Sequence, residues 1–341
     1  MTAFKTIKGV PVKTISGDRA GASFEGQLYY DSDGVGIFKF VGALGAVATG
    51  TWASGGDLGT ARQEATAAGT QDAAIAAGGG TPSGSTLNVE QYNGSSWTEV
   101  SNLNVLKTRS GISSNSPNAN TINFGGVSPS ASITATAESW DNSSWTEVGD
   151  LNAAILGSAG FGVSNASAGS AGGQKPDGNM SVNNELWNGS SWTEVNNLNS
   201  ARRYLGGLGT VTAALVVGGD TDNDSFPGGR YTAFVESYNG TSWTEIANLN
   251  SGRDYVGTAG IQTDAIVFGG SPGSPYLVST EAWNGTAWTE VNNLATGRRG
   301  WSSGTGSSLA ALSAGGGGTS STLANTEEWT VTNAVKTIAL S

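Results

Sequence analysis

The sequence predicts an all-β protein, a ring of six small sheets with four antiparallel strands in each. Three observations carry that prediction. A phrase centred on tryptophan recurs at Trp52, Trp97, Trp145, Trp192, Trp243 and Trp288, at spacings of 45, 48, 47, 51 and 45 residues. Six glycine pairs run from Gly78-Gly79 to Gly315-Gly316, and each is followed by a Glu-x-aromatic pair, from Glu90/Tyr92 to Glu327/Trp329. No segment keeps a helical apolar period, and 53 glycines in 341 residues mark many tight turns.

Within a unit the strands follow in order. Strand a comes after a recurrent arginine, as in "RRYLGGLG". Strand b, "TAALVVGG", stops at the glycine pair, and strand c, "AFVESY", holds the Glu-x-aromatic pair. Strand d, "SWTEI", holds the tryptophan. Four short strands in about 45 residues mark a β-propeller blade.

The c–d turn is written "NGSS" or a near copy. Asn-Gly is a strong hairpin signal, because a type I′ turn needs φ > 0 at both central residues. Strand parity puts Glu90, Tyr92, Trp97 and Glu99 on one sheet face. The aromatic pair should therefore pack one blade on the next, adding about 0.5–1.5 kcal/mol beyond its buried area. The same letters spell Asn-x-Ser/Thr glycosylation patterns at Asn93, Asn142, Asn188, Asn239 and Asn284. The turn itself accounts for those asparagines.

The last unit supplies strands a to c through "TLANTEEW" and has no second "NGSSW". The N-terminal "GTWASGG" supplies a strand d alone. The strand of Trp52 is expected to complete the last blade and close the ring, hiding its open edges. Residues 46–332 then form the propeller, 1–45 an N-terminal attachment segment and 333–341 a C-terminal tail. A hairpin is expected near 27–40, about Asp33-Gly34.

The glycine pair, the Glu-x-Tyr/Trp, the tryptophan and Arg62, Arg202, Arg253 and Arg298 together resemble a kelch repeat, six times over. Lys107 and Ile155 stand at the arginine position of the second and third units, so an ion pair is not required in every blade. The phrase "EGQLYYDSDGVGIFKF" resembles segments that open bacteriophage tail-fibre-like proteins. Combined with the "NGSSW" repeats, it is similar to virion proteins of marine phages. That resemblance implies a virion protein assembled in the host cytoplasm and working in the extracellular particle. Its partners would be other virion proteins, a host-surface glycan or protein, or further copies of itself.

The composition narrows the chemistry. With no histidine and no cysteine there is no Ser/His/Asp triad, no disulfide and no thiolate metal site. A net charge of −11 repels phosphate backbones, so no nucleic-acid partner is expected. No apolar run approaches the roughly 18 residues of a membrane span. "MTAFKTIKGVPVKTISG" lacks the apolar centre of a signal peptide. Ten glutamates recur at two repeat positions, and such periodicity suits a scaffold rather than one asymmetric active site. In "DTDNDSFPGG", Asp220, Asp222 and Asp224 alternate as in a calcium loop, but Ser225 and Tyr231 stand where glycine and glutamate belong. A solvated acidic loop is the reading, with a weakly held Ca²⁺ as its alternative and no other cofactor.

Alternating strand direction puts the a–b and c–d turns on one face and the b–c and d–a connections on the other. The c–d turns are near copies, whereas the b–c loops differ, and varied loops on a uniform scaffold usually carry recognition. The fourth loop is the longest and holds Asp220, Asp222, Asp224, Phe226, Arg230 and Tyr231. The fifth adds Tyr276, and the third adds Lys175 and Asp177. The expected function is a non-enzymatic tail or fibre component that contacts a host surface or virion subunits through this face. The alternatives are a glycan-active hydrolase or lyase, which needs an asymmetric acidic or Tyr/Arg pocket on the same face, and an intracellular kelch scaffold.

Overall fold

The b strands are short runs of small and branched apolar residues, such as Ala73–Ala77 and Ala213–Val217, and four of the five residues in each are buried. Strands this apolar need cover on both faces, and a ring of sheets provides it. The computed structural model describes residues 49–225, 229–299, 303–318 and 321–331, with five strands nearer the N-terminus. The chain divides into two compact units, Ala48–Val331 and Met1–Val47 with Thr332–Ser341.

The larger unit contains six four-stranded antiparallel sheets, each in the order a-b-c-d. The first blade is Thr66–Thr70, Ala73–Ala77, Val89–Tyr92 and Trp97–Val100. Around the axis the a strands touch in sequence: Thr66–Thr70, Gly111–Ile112, Ala159–Ser164, Gly206–Thr210, Gly257–Ile261, Ser303–Gly306 and back to the first. The last blade takes Thr51–Ser54 as its fourth strand, in the register Trp329↔Trp52 and Glu327↔Ser54. The ring is therefore closed by the N-terminal strand, as the repeat count requires.

In the smaller unit, Thr6–Ile7 pairs antiparallel with Val10–Pro11, and Lys13–Ile15 pairs parallel with Leu28–Asp31. Leu28–Asp31 also pairs antiparallel with Phe38–Phe40. The expected turn at Asp33-Gly34, and the tail 333–341, lie outside the described residues. No helix among the described residues is long and apolar enough to cross a membrane.

Each aromatic pair packs on the preceding blade. Trp187 and Trp192 lie 5.5 Å apart, and Trp192 meets Phe124 of the preceding blade edge-on at 4.9 Å. The Trp192 indole also donates to the Gly149 carbonyl at 3.0 Å. Trp145, Trp243 and Trp288 are buried in equivalent positions, and Trp52 and Trp97 are half-buried.

The c–d turn differs from the expected type I′. Only the glycine is left-handed, with φ of 95° at Gly189, while Asn188 keeps a negative φ. The Asn188 side chain accepts the Ser190 and Ser191 amides at 2.9 and 3.0 Å. That cap holds the asparagine in place and leaves the glycine to make the turn. In "WDNSSW" Asp141 is the cap, and Asn142 takes the positive φ of 75°.

The first repeat glutamate is buried and joins the d–a connection to the blade. Glu236 takes the Asn199 amide at 2.7 Å and the Arg202 guanidinium at 2.6 Å. Arg62–Glu90, Arg253–Glu281 and Arg298–Glu327 repeat the ion pair. Lys107 stands in for arginine beside Glu138; burial pushes its pKa down to about 8, against the pull of that carboxylate. Where Ile155 replaces the cation, Glu185 still binds the Asn152 amide and side chain, at 2.8 and 2.7 Å. The second repeat glutamates, Glu99, Glu147, Glu194, Glu245 and Glu290, are exposed.

Candidate functional site

Two residues beyond the repeat cation, the chain turns at the axis. Glu64, Arg109, Gly157, Tyr204 and Tyr255 occupy this position, with φ between 50° and 67°. The amides of Arg109, Gly157, Tyr204 and Tyr255 each donate to the carbonyl of the member before, at 3.2, 3.0, 2.7 and 2.9 Å. Four of the five are not glycine, and left-handed backbone costs each about 1–3 kcal/mol. The inter-blade hydrogen bonds hold it there. One position earlier, Gln63, Thr108, Leu156, Arg203, Asp254 and Arg299 bridge to the residue following each glycine pair. This lacing fixes the d–a connections and b–c loops on one face.

The side chains on this face differ from blade to blade. Tyr204 and Tyr255 stack with centroids 4.0 Å apart and planes at 19°. Arg203 lies 4.8 Å and Arg109 5.9 Å from the Tyr204 ring. Arg299 lies 5.6 Å from the Tyr255 ring and 5.0 Å from that of Tyr276. Glu64 pairs with Arg109 at 3.0 Å. Asp220 is 2% exposed and accepts from two guanidiniums, Arg203 at 2.9 Å and Arg230 at 3.1 Å. Asp222 pairs with Arg230 at 3.0 Å, and Gln174 accepts from Arg203 at 2.6 Å.

Asp254 is buried beside this network, and one of its carboxylate oxygens has no hydrogen-bond partner. Burial, with the nearby Asp220 charge, pushes its pKa up to about 7, although Arg299 and Arg203 pull the other way. Burial and the stacked Tyr204 push the Tyr255 hydroxyl up as well. A carboxyl whose folded pKa lies above its unfolded value of about 4 binds its proton more tightly in the fold. The stability it contributes is full below about pH 4 and is lost as pH rises through the folded value. Asp254→Asn should therefore flatten the fall in unfolding free energy between pH 4 and 7. Urea titrations at several pH values check this, and parallel curves for the two proteins would contradict it.

The structure brings several of the expected residues together. Asp220, Asp222 and Arg230 form one ion-pair network, and Arg230 lies 5.6 Å from the Tyr231 ring. Tyr276 joins through Arg299. Asp224 is exposed and Phe226 lies outside the described residues. Asp177 is exposed and folds back on Asn179 at 2.9 Å, beside half-buried Lys175. The arrangement does not suit the Ca²⁺ alternative: Asp220 faces two guanidiniums, and no group of three acidic side chains among the described residues could hold a metal ion.

The sequence reading did not single out Glu64, Arg109, Arg203, Tyr204, Asp254, Tyr255 or Arg299. Their signal lay in the two letters after the repeat position, which read QE, TR, LG, RY, DY and RG where the flanking letters repeat.

The axis is crossed part-way along, and a cavity of about 440 Å³ lined by Thr70, Asn115, Gly260 and Gly306 opens at its a–b turn end. Residues beyond the short strand Gly111–Ile112 cross it, with Asn115 donating to the Gly260 carbonyl at 2.7 Å and accepting from the Gly209 amide at 2.8 Å. A cavity of about 40 Å³, lined by Thr66, Ser110, Ile112 and Thr258, has room for water but not for a larger ligand. A ligand would meet the propeller at its faces.

Fold and site define a six-bladed β-propeller whose axis is crossed by Asn115, with an arginine–tyrosine network on one face. The solved structure of YjhT is similar, with 14% identity over 82% of this chain and 97% of that one and a TM-score of 0.66. That likeness shows the fold. No family model matches the chain, and no curated protein matches it.

Proposed function

We propose that this protein is a non-enzymatic structural component of a bacteriophage particle, a kelch-like tail or fibre propeller that offers its b–c loop face to a host-surface glycan or protein or to a neighbouring virion subunit. The observation that carries the reading is the contrast between the faces. The c–d turns repeat one cap-and-glycine design, whereas the opposite face gathers Arg109, Arg203, Arg230, Arg299, Tyr204, Tyr255 and Tyr276 into one asymmetric network. Thr51 and Thr330 pair at the turn face, the end of the last blade opposite the network. The virion assignment rests on the N-terminal and "NGSSW" resemblances. Glu64 and Asp220 are neutralised by arginines, which suits binding better than proton transfer.

The test uses phage particles carrying Asp222→Ala, Asp224→Ala and Tyr231→Ala together. Adsorption to host cells or assembly is expected to fall about tenfold or more. A protein missing from purified particles would sink the virion reading; one that is present, with adsorption and assembly unchanged, would sink the use of this face.

One observation favours the glycan-active enzyme. Asp254, with its pKa near 7, lies among arginines and next to Tyr255, and perturbed carboxyls of that kind occur at catalytic sites. Release of reducing ends from host-surface polysaccharides, abolished in Asp254→Asn, would establish that reading.

A further inference from the structure

Seven of the eight described arginines are ion-paired: Arg62, Arg109, Arg202, Arg203, Arg230, Arg253 and Arg298. Arg299 is the exception. Its guanidinium makes no ion pair or hydrogen bond among the described residues; it lies over the rings of Tyr255 and Tyr276, with the buried Asp254 carboxyl within electrostatic reach. A cation over an aromatic face uses its charge and leaves its N–H donors available. The side chain is half-buried, as is Tyr276, so both can be reached from solvent. Tyr231 borders the same loop, with Gly273 against its ring.

A free guanidinium held between two rings matches one planar carboxylate, in a bidentate pair. The surroundings limit what carries that carboxylate. Buried Asp254 lies near Arg299, Asp222 and Asp224 are exposed on the same face, and the chain's net charge is −11. A polyanion would be repelled. A ring with one carboxylate and otherwise neutral hydroxyls would meet the fork with its charge and the Tyr276 ring with its apolar face, and would add no further charge to an acidic chain.

We propose that Arg299, flanked by Tyr255 and Tyr276, binds a sugar unit carrying a single carboxylate. The proposal rests on the b–c face being the recognition face and names its ligand class. Arg299 grips the carboxylate, Tyr276 packs on the sugar ring, and Tyr255 orients the guanidinium.

The test is titration of the full chain with D-glucuronate, D-galacturonate, D-glucose and a glutamate-rich peptide, by calorimetry and ligand-observed NMR. At least one uronate is expected to bind about tenfold or more tighter than glucose. Arg299→Gln and Tyr276→Ala should each weaken it about 10-fold or more at an unchanged Tm, and Arg299→Lys, which keeps the charge but loses the fork, should recover only part. Equal binding of glucose, wild-type uronate binding by Arg299→Gln, or the peptide bound in place of the sugars overturns the proposal. If neither uronate binds while the Asp222, Asp224 and Tyr231 substitutions still abolish adsorption, the ligand class is wrong and the recognition face stands. If adsorption is also unaffected, both fall.

Discussion

Deleting residues 49–56 is expected to destroy the cooperative fold. The deletion removes the pairing of Thr51–Ser54 with Thr326–Thr330 and leaves that strand as an open edge. It also removes Trp52, which meets Phe268 edge-on at 4.8 Å, lies 5.5 Å from Trp329 and donates to the Thr280 hydroxyl at 3.0 Å. Loss of a fully buried tryptophan costs about 3–5 kcal/mol, and half-buried Trp52 contributes part of that in addition to the strand pairing, against the roughly 5–15 kcal/mol that stabilises an ordinary domain. The variant should lose its sharp thermal transition or self-associate through the exposed edge. Calorimetry and sedimentation check this. A monomer that still melts cooperatively within a few degrees of the intact protein would show that closure is dispensable.

Arg202→Ala is expected to cost about 3–5 kcal/mol, because it strands a buried carboxylate. Glu236 is almost fully buried, and its second oxygen already holds the Asn199 amide and side chain. Glu236→Gln in the Arg202→Ala background should recover part of the loss by removing the uncompensated charge. Urea unfolding of the three variants measures both effects. A loss below about 1 kcal/mol for Arg202→Ala would mean that the blade tolerates a lone carboxylate. The third blade shows what such tolerance looks like, since Glu185 is held there by Asn152 with Ile155 in the cation position.

Much of the scaffold was legible because its signals are local and repeated. The glycine pair, the Glu-x-aromatic strand and the tryptophan recur with the blade, so the number of strands and the closing role of Trp52 follow from counting. The buried glutamates were half legible: their recurrence indicated a scaffold role, while their grip on the d–a amides needed coordinates. The c–d turn misled in one detail. Asn-Gly suggests two left-handed residues, but the Asn188 side chain caps the turn and keeps its own backbone out of that region.

The candidate site was largely illegible for a physical reason. The reading placed chemistry in the long fourth b–c loop, and Asp220 and Arg230 do meet there, but as an ion-pair network that supports its surroundings. The calcium-like spacing of the three aspartates says nothing of the guanidinium that Arg203 inserts from another segment. Glu64, Arg109, Tyr204, Tyr255 and Arg299 come from five different blades, with no common spacing beyond the repeat itself.

By itself, then, the sequence determined the all-β class, the six blades, the aromatic packing between them and the strand that closes the ring. Each of these depends on contacts within a blade or between neighbouring blades, and a periodic pattern encodes such contacts directly. Only the tertiary structure decided that Tyr204 stacks on Tyr255, that Asp220 is shared by two arginines and that Arg299 lies between the rings of Tyr255 and Tyr276. Ring closure converges all six blades on one axis, so single, non-repeating side chains far apart in the chain become neighbours there.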